Sequence, residues 1–190
     1  MEKINVGFAL TGSFCTFRKA IDTMKELKAS GHNIIPIMSY NACSTDTRFG
    51  DAHDFQEEIE AICGRQIISS ISEAEPIGPK KLLDILIIEP CTGNTLAKLA
   101  NSIADTPVTL AAKSHLRNGR PVLIAISTND ALAGASKNIG ALLNFKNIYF
   151  IPYKQDDAEN KPTSVIADFS LTEKAMLAAL QGKQLQPIIL

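Results

Sequence analysis

Apolar and polar positions alternate along this chain in blocks that predict strands and helices in turn. Short apolar runs without polar breaks predict strands buried on both faces, and apolar residues at intervals of three and four predict amphipathic helices. The predicted strands are 5–10, 33–38, 66–71, 82–88, 121–126 and 148–151. The predicted helices are 14–30, 51–63, 96–104, 105–117, 136–144 and 170–182. This order predicts an α/β domain with a doubly wound parallel sheet.

Two segments between these elements lack an apolar pattern. Residues 73–79 carry two prolines and a glycine, which predicts a loop. Residues 153–168 are polar and contain proline, which predicts a long loop or a flexible flap. The motif Ser170-Leu171-Thr172-Glu173 then predicts a capping box at the start of the last helix. No linker or internal repeat interrupts the chain, so residues 1–190 are predicted to form one domain.

Composition narrows the class of partner. The net charge is −1 and aromatic residues make up 6% with no Trp, so neither nucleic acid nor an anionic membrane is an expected partner. No apolar stretch reaches the roughly 18 residues of a membrane span. The segment that begins at Met1 predicts a strand rather than a signal peptide, and we expect a cytoplasmic protein. The four cysteines have no zinc-ligand spacing, so no metal site is expected.

The strongest candidate for chemistry is the loop after the fourth predicted strand. The apolar run stops at Glu89-Pro90, and small or polar residues precede the next helix, namely Cys91, Thr92, Gly93, Asn94 and Thr95. A loop between a buried strand and a helix N-terminus lies at the carboxyl edge of the sheet, where open α/β folds bind ligands. These residues allow backbone N–H groups, hydroxyls and an amide to approach a flat polar ligand.

Three other loops are predicted at the same edge. They contain Thr11-Gly12-Ser13, Ser39-Tyr40 and Ser127-Thr128-Asn129. Hydroxyls beside helix N-termini suit a phosphate group. Neither the Gly-x-Gly-x-x-Gly fingerprint nor the Walker motif is present, so a mononucleotide such as FMN fits better than NAD or ATP. The residues by themselves leave a second interpretation open, in which these hydroxyls only cap helices and close turns.

The segment Pro90-Cys91-Thr92-Gly93-Asn94-Thr95 resembles the Pro-Ala-Ser-Ala-Asn-Thr signature of the flavin-containing cysteine decarboxylase and prenyltransferase family. The similarity extends from Gly7 to Pro152, with the elements in the same order. It implies a Rossmann-like flavoprotein fold that binds FMN, with the phosphate near Ser13 and Ser39 and the ring against residues 91–95. The resemblance also implies a homo-oligomer based on trimers, with the flavin loop near an interface between protomers.

Departures from the family pattern argue against its decarboxylation chemistry. The family has a His eight positions before the Asp that leads into the signature strand, and counting back from Asp84 gives Pro76. Proline cannot serve as a general acid or base. The family's Pro-x-Met-Asn motif is represented by Ile126-Ser127-Thr128-Asn129, in which only the Asn is kept. The substrate clamp with Cys-Gly is missing, and residues 154–168 occupy its place.

Within the family, the chain is most similar to a subgroup in which the flavoprotein is one subunit of an oxidoreductase. The similarity rests on the Pro-Cys-Thr-Gly-Asn-Thr variant, on Ile126-Ser127-Thr128-Asn129-Asp130 and on residues 161–169. It implies a partner subunit that carries NAD(P) and a small dicarboxylate substrate. Carboxylates favour cations, for which the candidates are Arg18, Lys98, Lys113 and Lys154.

The sequence assigns no catalytic residue. His53 begins a predicted helix at the ligand edge, whereas His32 and His115 are expected to be structural. One alternative function is a non-catalytic binding or scaffold subunit that keeps the fold without flavin, which agrees with Pro76 and the altered Asn129 motif. Another alternative is a flavin prenyltransferase, but the basic residues that would bind phosphate are not evident.

Overall fold

The computed structural model describes residues 3–190, so Met1 and Glu2, where the N-terminal prediction begins, lie outside the described residues. The strands are β1 (Asn5–Leu10), β2 (Asn33–Met38), β3 (Ile85–Cys91), β4 (Val122–Thr128), β5 (Ile148–Phe150), β6 (Tyr153–Asp157) and β7 (Lys161–Ala167). The α-helices are α1 (Phe17–Ala29), α2 (Tyr40–Ser44), α3 (Ala52–Cys63), α4 (Ile71–Ala74), α5 (Gly93–Ala100), α6 (Pro107–Arg117), α7 (Ser136–Leu142) and α8 (Thr172–Leu180). Within residues 3–190, no helix is both long enough and apolar enough to cross a membrane.

The strands form one sheet in the order β2–β1–β3–β4–β7–β6, and β5 pairs with β4 beside β7. β1, β2, β3, β4 and β5 pair in parallel, as predicted. The chain leaves β1 towards β2 and leaves β3 towards β4, so the direction of winding changes between β1 and β3. The carboxyl ends of these two strands border the crevice where open α/β sheets bind ligands. The predicted α/β fold is confirmed.

Helices cover both faces of the sheet, which explains why the central strands read as unbroken apolar runs. Alternate residues of a strand point to opposite faces. Phe8 of β1 packs with Ile21 and Met24 of α1 in one buried cluster, which also contains residues of α3 and α8. The next residue, Ala9, belongs to a second buried cluster, formed with residues of α5, α6 and α7.

The bounds predicted for β1 and β2 are confirmed, but the strand predicted at 66–71 is wrong. Ile68 makes only an isolated bridge to Ile37. Ser70 caps α4 instead, because its hydroxyl accepts a hydrogen bond from the Glu73 N–H while the Glu73 carboxylate accepts one from the Ser70 N–H. The loop predicted at 73–79 is therefore also wrong in part, since α4 and the 3-10 helix Glu75–Ile77 include its first five residues.

The loop or flap predicted at 153–168 is also wrong, because this segment forms the hairpin of β6 and β7. The Asp157 carboxylate closes the turn by accepting hydrogen bonds from the N–H groups of Glu159 and Asn160, at 3.2 and 3.0 Å. β7 then pairs antiparallel with the end of β4, where Ser127 is opposite Ile166 and Thr128 is opposite Val165. The hairpin therefore extends the sheet.

The capping box predicted at 170–173 is not formed. The N-cap of α8 is Leu171, and no side chain caps it. The N–H and hydroxyl of Ser170 both donate to the Asp168 carboxylate, at 3.1 and 2.6 Å, within the 3-10 helix that precedes α8. Glu173 turns towards His32, whose Nε2 lies 3.5 Å from Glu173 Oε1. The same motif therefore forms a cap at residue 70 and not at residue 170.

Candidate functional site

The loop predicted at 91–95 is shorter in the structure, because β3 continues past its predicted end at Ile88 to Cys91. Pro90 has no N–H to donate, and the register between β3 and β4 shifts between Ile88 and Cys91. Thr92 is the N-cap of α5 and accepts a hydrogen bond from the Thr95 N–H at 3.4 Å. The signature therefore forms a strand end, a helix cap and a first helical turn, with N–H groups directed at the edge of the sheet.

The loops after β1 and β3 are joined by a buried threonine. The Thr11 hydroxyl donates to the Pro90 carbonyl at 2.7 Å and accepts from the Thr92 N–H at 3.0 Å. The Thr11 N–H also donates to the Pro90 carbonyl, at 3.2 Å. Thr11 is only 1% exposed, so these bonds fix the two loops of the crevice against each other.

The loop after β1 is joined by hydroxyl groups to the end of β4, which includes Ser127 and Thr128 although the sequence predicted a loop from residue 127. Ser13 Oγ lies 2.8 Å from Ser127 Oγ, and Thr16 Oγ1 lies 3.4 Å from the same oxygen. Ser39 approaches through its backbone, because its N–H donates to the Leu10 carbonyl at 3.0 Å. Its hydroxyl caps α2 by accepting from the Ala42 N–H at 3.3 Å. The predicted convergence is therefore a direct contact between Ser13 and Ser127, with Ser39 at the adjacent strand end.

A third cluster joins the end of β4 to the start of α5. The Thr128 hydroxyl donates to Asp130 Oδ1 at 2.7 Å. A Cβ on Gly93 would lie 2.7 Å from Asp130 Oδ1 and 2.9 Å from Thr128 Oγ1, so only a glycine permits this approach without a shift. Asn129 is exposed, and its carbonyl accepts from the Thr163 hydroxyl of β7 at 2.6 Å. Sequence reasoning placed residues 127–130 at the ligand edge, but it did not count Asp130 among the residues that hold the cofactor.

The other residues predicted at the edge differ in how much of their side chain is exposed to solvent. The Cys91 side chain is fully buried, and burial raises the pKa of its thiol far above the usual range, so this side chain is an uncharged core group. Asn94 is exposed on the first turn of α5, and its amide is accessible at the edge. Gly12 has room for a Cβ, with the Phe14 ring at 3.6 Å and Asn41 Cβ at 3.9 Å. Cys15 is exposed, with its sulfur 4.0 Å from Ser13 Oγ.

Sequence reasoning missed Glu89, a fully buried carboxyl near the end of β3. Its Oε2 accepts a hydrogen bond from the Thr172 hydroxyl of α8 at 2.7 Å, and its Oε1 has no partner among residues 3–190. Burial raises the pKa of Glu89 to about 8, and the nearby Glu26 carboxylate adds to this rise. The signal in the sequence was a carboxylate inside an apolar run.

The cations predicted to meet a dicarboxylate are engaged elsewhere. Arg18 pairs with Glu58 at 2.6 Å, and Lys98 pairs with Asp105 at 2.7 Å. Lys154 lines a groove of about 430 Å³ between α1 and the segment from the end of β7 to Ser170. Lys113 lines a smaller apolar groove beside α6. These side chains therefore do not form the hydroxyl-rich edge.

The histidines and Pro76 also lie apart from the hydroxyl clusters. His53 is largely exposed on α3, and its Nε2 lies 3.2 Å from Glu57 of the same helix. His115 is buried, and burial lowers its pKa to about 4, so it is neutral rather than the cation that a helix C-terminus would favour. Pro76 lies in the 3-10 helix Glu75–Ile77, and the Ile77 carbonyl accepts from Leu82 just before β3. Pro76 is thus at the opposite end of β3 from the signature.

The fold and its crevice define an open α/β domain with small and hydroxyl-bearing residues at the switch point, a class of domain that binds nucleotides there. The sequence model of the family described as Flavoprotein matches residues 1–171, and the chain belongs to the flavoprotein family. The B subunit of dipicolinate synthase from Bacillus subtilis (strain 168) is 45% identical over 184 residues, which cover 97% of this chain and 92% of that protein.

Solved structures agree with this assignment. The crystal structure of the B subunit of dipicolinate synthase from Bacillus halodurans C is 42% identical, with a TM-score of 0.90 over 98% of this chain and 96% of that chain. The complex of Burkholderia xenovorans DmrB with FMN shares the fold at 16% identity, with a TM-score of 0.69 over 94% of this chain and 96% of that chain.

Proposed function

We propose that this chain is the flavin-binding B subunit of a dipicolinate synthase, an oxidoreductase of sporulation. With the A subunit, which would carry NAD(P), it would oxidise dihydrodipicolinate, a small dicarboxylate, to dipicolinate. The observation that carries this proposal is the 45% identity to the B subunit of dipicolinate synthase over 97% of the chain. The absence of a dinucleotide fingerprint from the sequence agrees with a nicotinamide held by another polypeptide.

The donor groups of the edge fit FMN. Ser13, Thr16 and Ser127 present neutral hydroxyls to one another, a donor set that suits a phosphate beside the Ser39 helix cap. The Asp130 carboxylate lies against the start of α5, so a second anion is disfavoured there and the phosphate is expected on the Ser13 side. The ring would then lie against the signature, where FMN supplies a group that accepts hydride.

The proposed contacts follow the four loops at this edge. The residues proposed to hold FMN are Thr11, Gly12, Ser13, Ser39, Cys91, Thr92, Gly93, Asn94, Thr95, Ser127, Thr128 and Asn129. Because its side chain is buried, Cys91 would contribute only backbone atoms. Asn94 offers an exposed amide directly beside the small Gly93.

The decisive experiment has two measurements. The purified chain is titrated with FMN, and the flavin absorbance and fluorescence report binding. Dihydrodipicolinate oxidation is then followed with NAD(P) and the A subunit, in the presence and absence of this chain and FMN. We expect the purified chain to bind FMN by itself, and dipicolinate to form only when both polypeptides are present. Full activity of the A subunit without this chain, or no FMN binding, would instead support a scaffold role in which the fold is kept without flavin.

We also propose that the protein is cytoplasmic and forms a trimer-based homo-oligomer. Large apolar side chains support the second point, since Tyr40, Phe49 and Leu132 are 44%, 45% and 53% exposed. Multi-angle light scattering at micromolar concentration is the test. A particle of 20.5 kDa alone would contradict the oligomer.

A further inference from the structure

The residues proposed to hold flavin contain no obvious proton acceptor. Apart from Cys91, their side chains are hydroxyls, an amide or hydrogen, and the buried Cys91 thiol has a raised pKa. Oxidation of a dihydropyridine to a pyridine releases a proton as well as a hydride. A general base must lie within hydrogen-bond reach of the atom that loses the proton. The general base must therefore be a residue other than those proposed to hold the flavin.

Asp130 is a carboxylate that touches two members of that set. It accepts the Thr128 hydroxyl at 2.7 Å, and its Oδ1 lies against the backbone of Gly93. Its own carbonyl accepts the N–H groups of Ala133 and Ala135, at 2.9 and 3.1 Å, which fixes the loop after β4. Asp130 is half-buried, so it is held in place and still accessible at the edge.

From this geometry we propose that Asp130 accepts the proton released during the oxidation, an assignment that rests on the proposed function. A hydride leaves one ring carbon of the dihydropyridine dicarboxylate with its bonding pair, for an oxidant of the flavin or nicotinamide class. The neighbouring ring atom loses a proton to an Asp130 carboxylate oxygen, and the electron pair left behind forms the new ring double bond. The hydride and the proton together remove two protons and two electrons from the substrate, and the product is aromatic.

The surroundings of Asp130 suit this role. Thr128 Oγ1 and the backbones of Gly93 and Gly134 face its two oxygens. None of the ion pairs formed within residues 3–190 includes Asp130, so no cation neutralises it before substrate arrives. This role also explains why a glycine is found at position 93, because any larger residue would push the Asp130 carboxylate away from the signature.

The first test compares Asp130→Asn with the wild type as FMN-loaded protein together with the A subunit. The amide keeps the shape of the side chain but cannot accept the proton, so we expect turnover to fall roughly 100- to 10,000-fold with little change in FMN affinity. Asp22→Asn, an exposed carboxylate of α1, is the matched control and should keep full turnover. Wild-type turnover with an unchanged pH profile in Asp130→Asn would overturn the assignment while leaving the proposed function intact.

The second test needs no turnover. Dipicolinate binding to the FMN-loaded chain is measured by calorimetry for the wild type, Asp130→Asn and Asp22→Asn. The Asp130 carboxylate repels the dicarboxylate product, so its replacement by an amide should tighten dipicolinate binding by about tenfold, whereas Asp22→Asn should bind like the wild type. Equal affinities of the wild type and Asp130→Asn, or no dipicolinate binding, would overturn the assignment, whereas failure of the proposed function appears earlier, as absent FMN binding.

Discussion

Polar side chains lie in two different settings near the end of β3. At the edge, Ser13, Thr16 and Ser127 exchange hydrogen bonds between neutral hydroxyls that can each rotate to a new partner. Beneath α1 and α8, the Glu89 carboxyl has one partner, Thr172, and an oxygen without any among the described residues. The hydroxyls at the edge can rearrange around a ligand without a change in charge. Glu89 is enclosed, so its only available change is to gain or lose a proton. Substitutions in the two settings should therefore have different effects, on ligand affinity at the edge and on the pH dependence of stability at Glu89.

The largest expected effect is on the pH dependence of stability, tested with Glu89→Gln. The folded pKa of Glu89, about 8, lies above its ordinary value of 4.5, so the folded state holds this proton more tightly. The resulting stabilisation is complete below about pH 4.5 and is lost as the pH rises to about 8. Urea unfolding should show a slope of up to about 1.4 kcal/mol per pH unit across this window for the wild type. The glutamine amide does not titrate in this pH range, so the slope should be smaller in the variant.

Glu26→Gln is the matched control for Glu89→Gln. Glu26 lies near enough to raise the pKa of Glu89, so its replacement should shift the window slightly towards lower pH without removing it. Identical pH profiles for the wild type and Glu89→Gln would show that Glu89 does not titrate in this range.

The next effect concerns the edge, where Asn94→Leu should weaken FMN binding by about 10- to 100-fold. Asn94 is exposed on the first turn of α5, so a leucine there fits the fold but intrudes on the space proposed for the ring. Fluorescence titration with FMN measures the affinity, and thermal unfolding checks the fold. Asn144→Leu, at the exposed end of α7, is the control. Unchanged affinity in Asn94→Leu would refute the site assignment.

A smaller loss is expected from Thr172→Val, which removes the donor to Glu89 and keeps the shape of the side chain. The unfolding free energy should fall by about 1 kcal/mol at pH 6, and by more above pH 8, where the carboxylate is ionised. Thr172→Ser keeps the hydroxyl and should lose less. Equal losses for Val and Ser would mean that packing of the methyl group, and not the hydrogen bond, stabilises this contact.

The smallest effect on stability is expected for Ser13→Ala. Ser127 keeps Thr16 as a neighbour, at 3.4 Å, so the free energy of unfolding should change by less than about 0.5 kcal/mol. FMN affinity should nevertheless fall by up to about tenfold, because a proposed phosphate donor is lost. Ser136→Ala, an exposed serine at the start of α7, should change neither quantity. A loss of stability without a loss of affinity would assign Ser13 to the fold alone.

The sequence predicted β1, β2 and the convergence of the loops because each rests on local signals. Each of these strands is an apolar run that ends at a small polar residue, Thr11 or Ser39, so the position where the strand ends is clear from the sequence. The end of β3 was missed because Glu89 and Pro90 are unfavourable in a central strand, and only tertiary burial with Thr172 accommodates the carboxyl. Local composition does not record that partner, which lies 83 positions away along the chain.

The hairpin was missed for a different reason. β6 is polar on both faces, with Lys154, Gln155 and Asp156 exposed, so the alternation of a half-buried strand is absent. The two Ser-x-x-Glu motifs also look equivalent in sequence. Their neighbours make the difference. The Ser170 donors bond to Asp168 and Glu173 lies beside His32, so these two residues do not pair. Ser70 and Glu73 instead hydrogen-bond to each other.

β4 takes part in two kinds of pairing, parallel to β5 along Val122–Ile124 and antiparallel to β7 at Ser127 and Thr128. Evolution can therefore alter the hairpin, in length or in sequence, and move these two side chains while the pairing with β3 and β5 stays unchanged. The part of the crevice beside β4 is free to diverge separately from the part beside β1. A lineage could in this way acquire a new substrate on an inherited cofactor platform, with the hairpin as the exchangeable module.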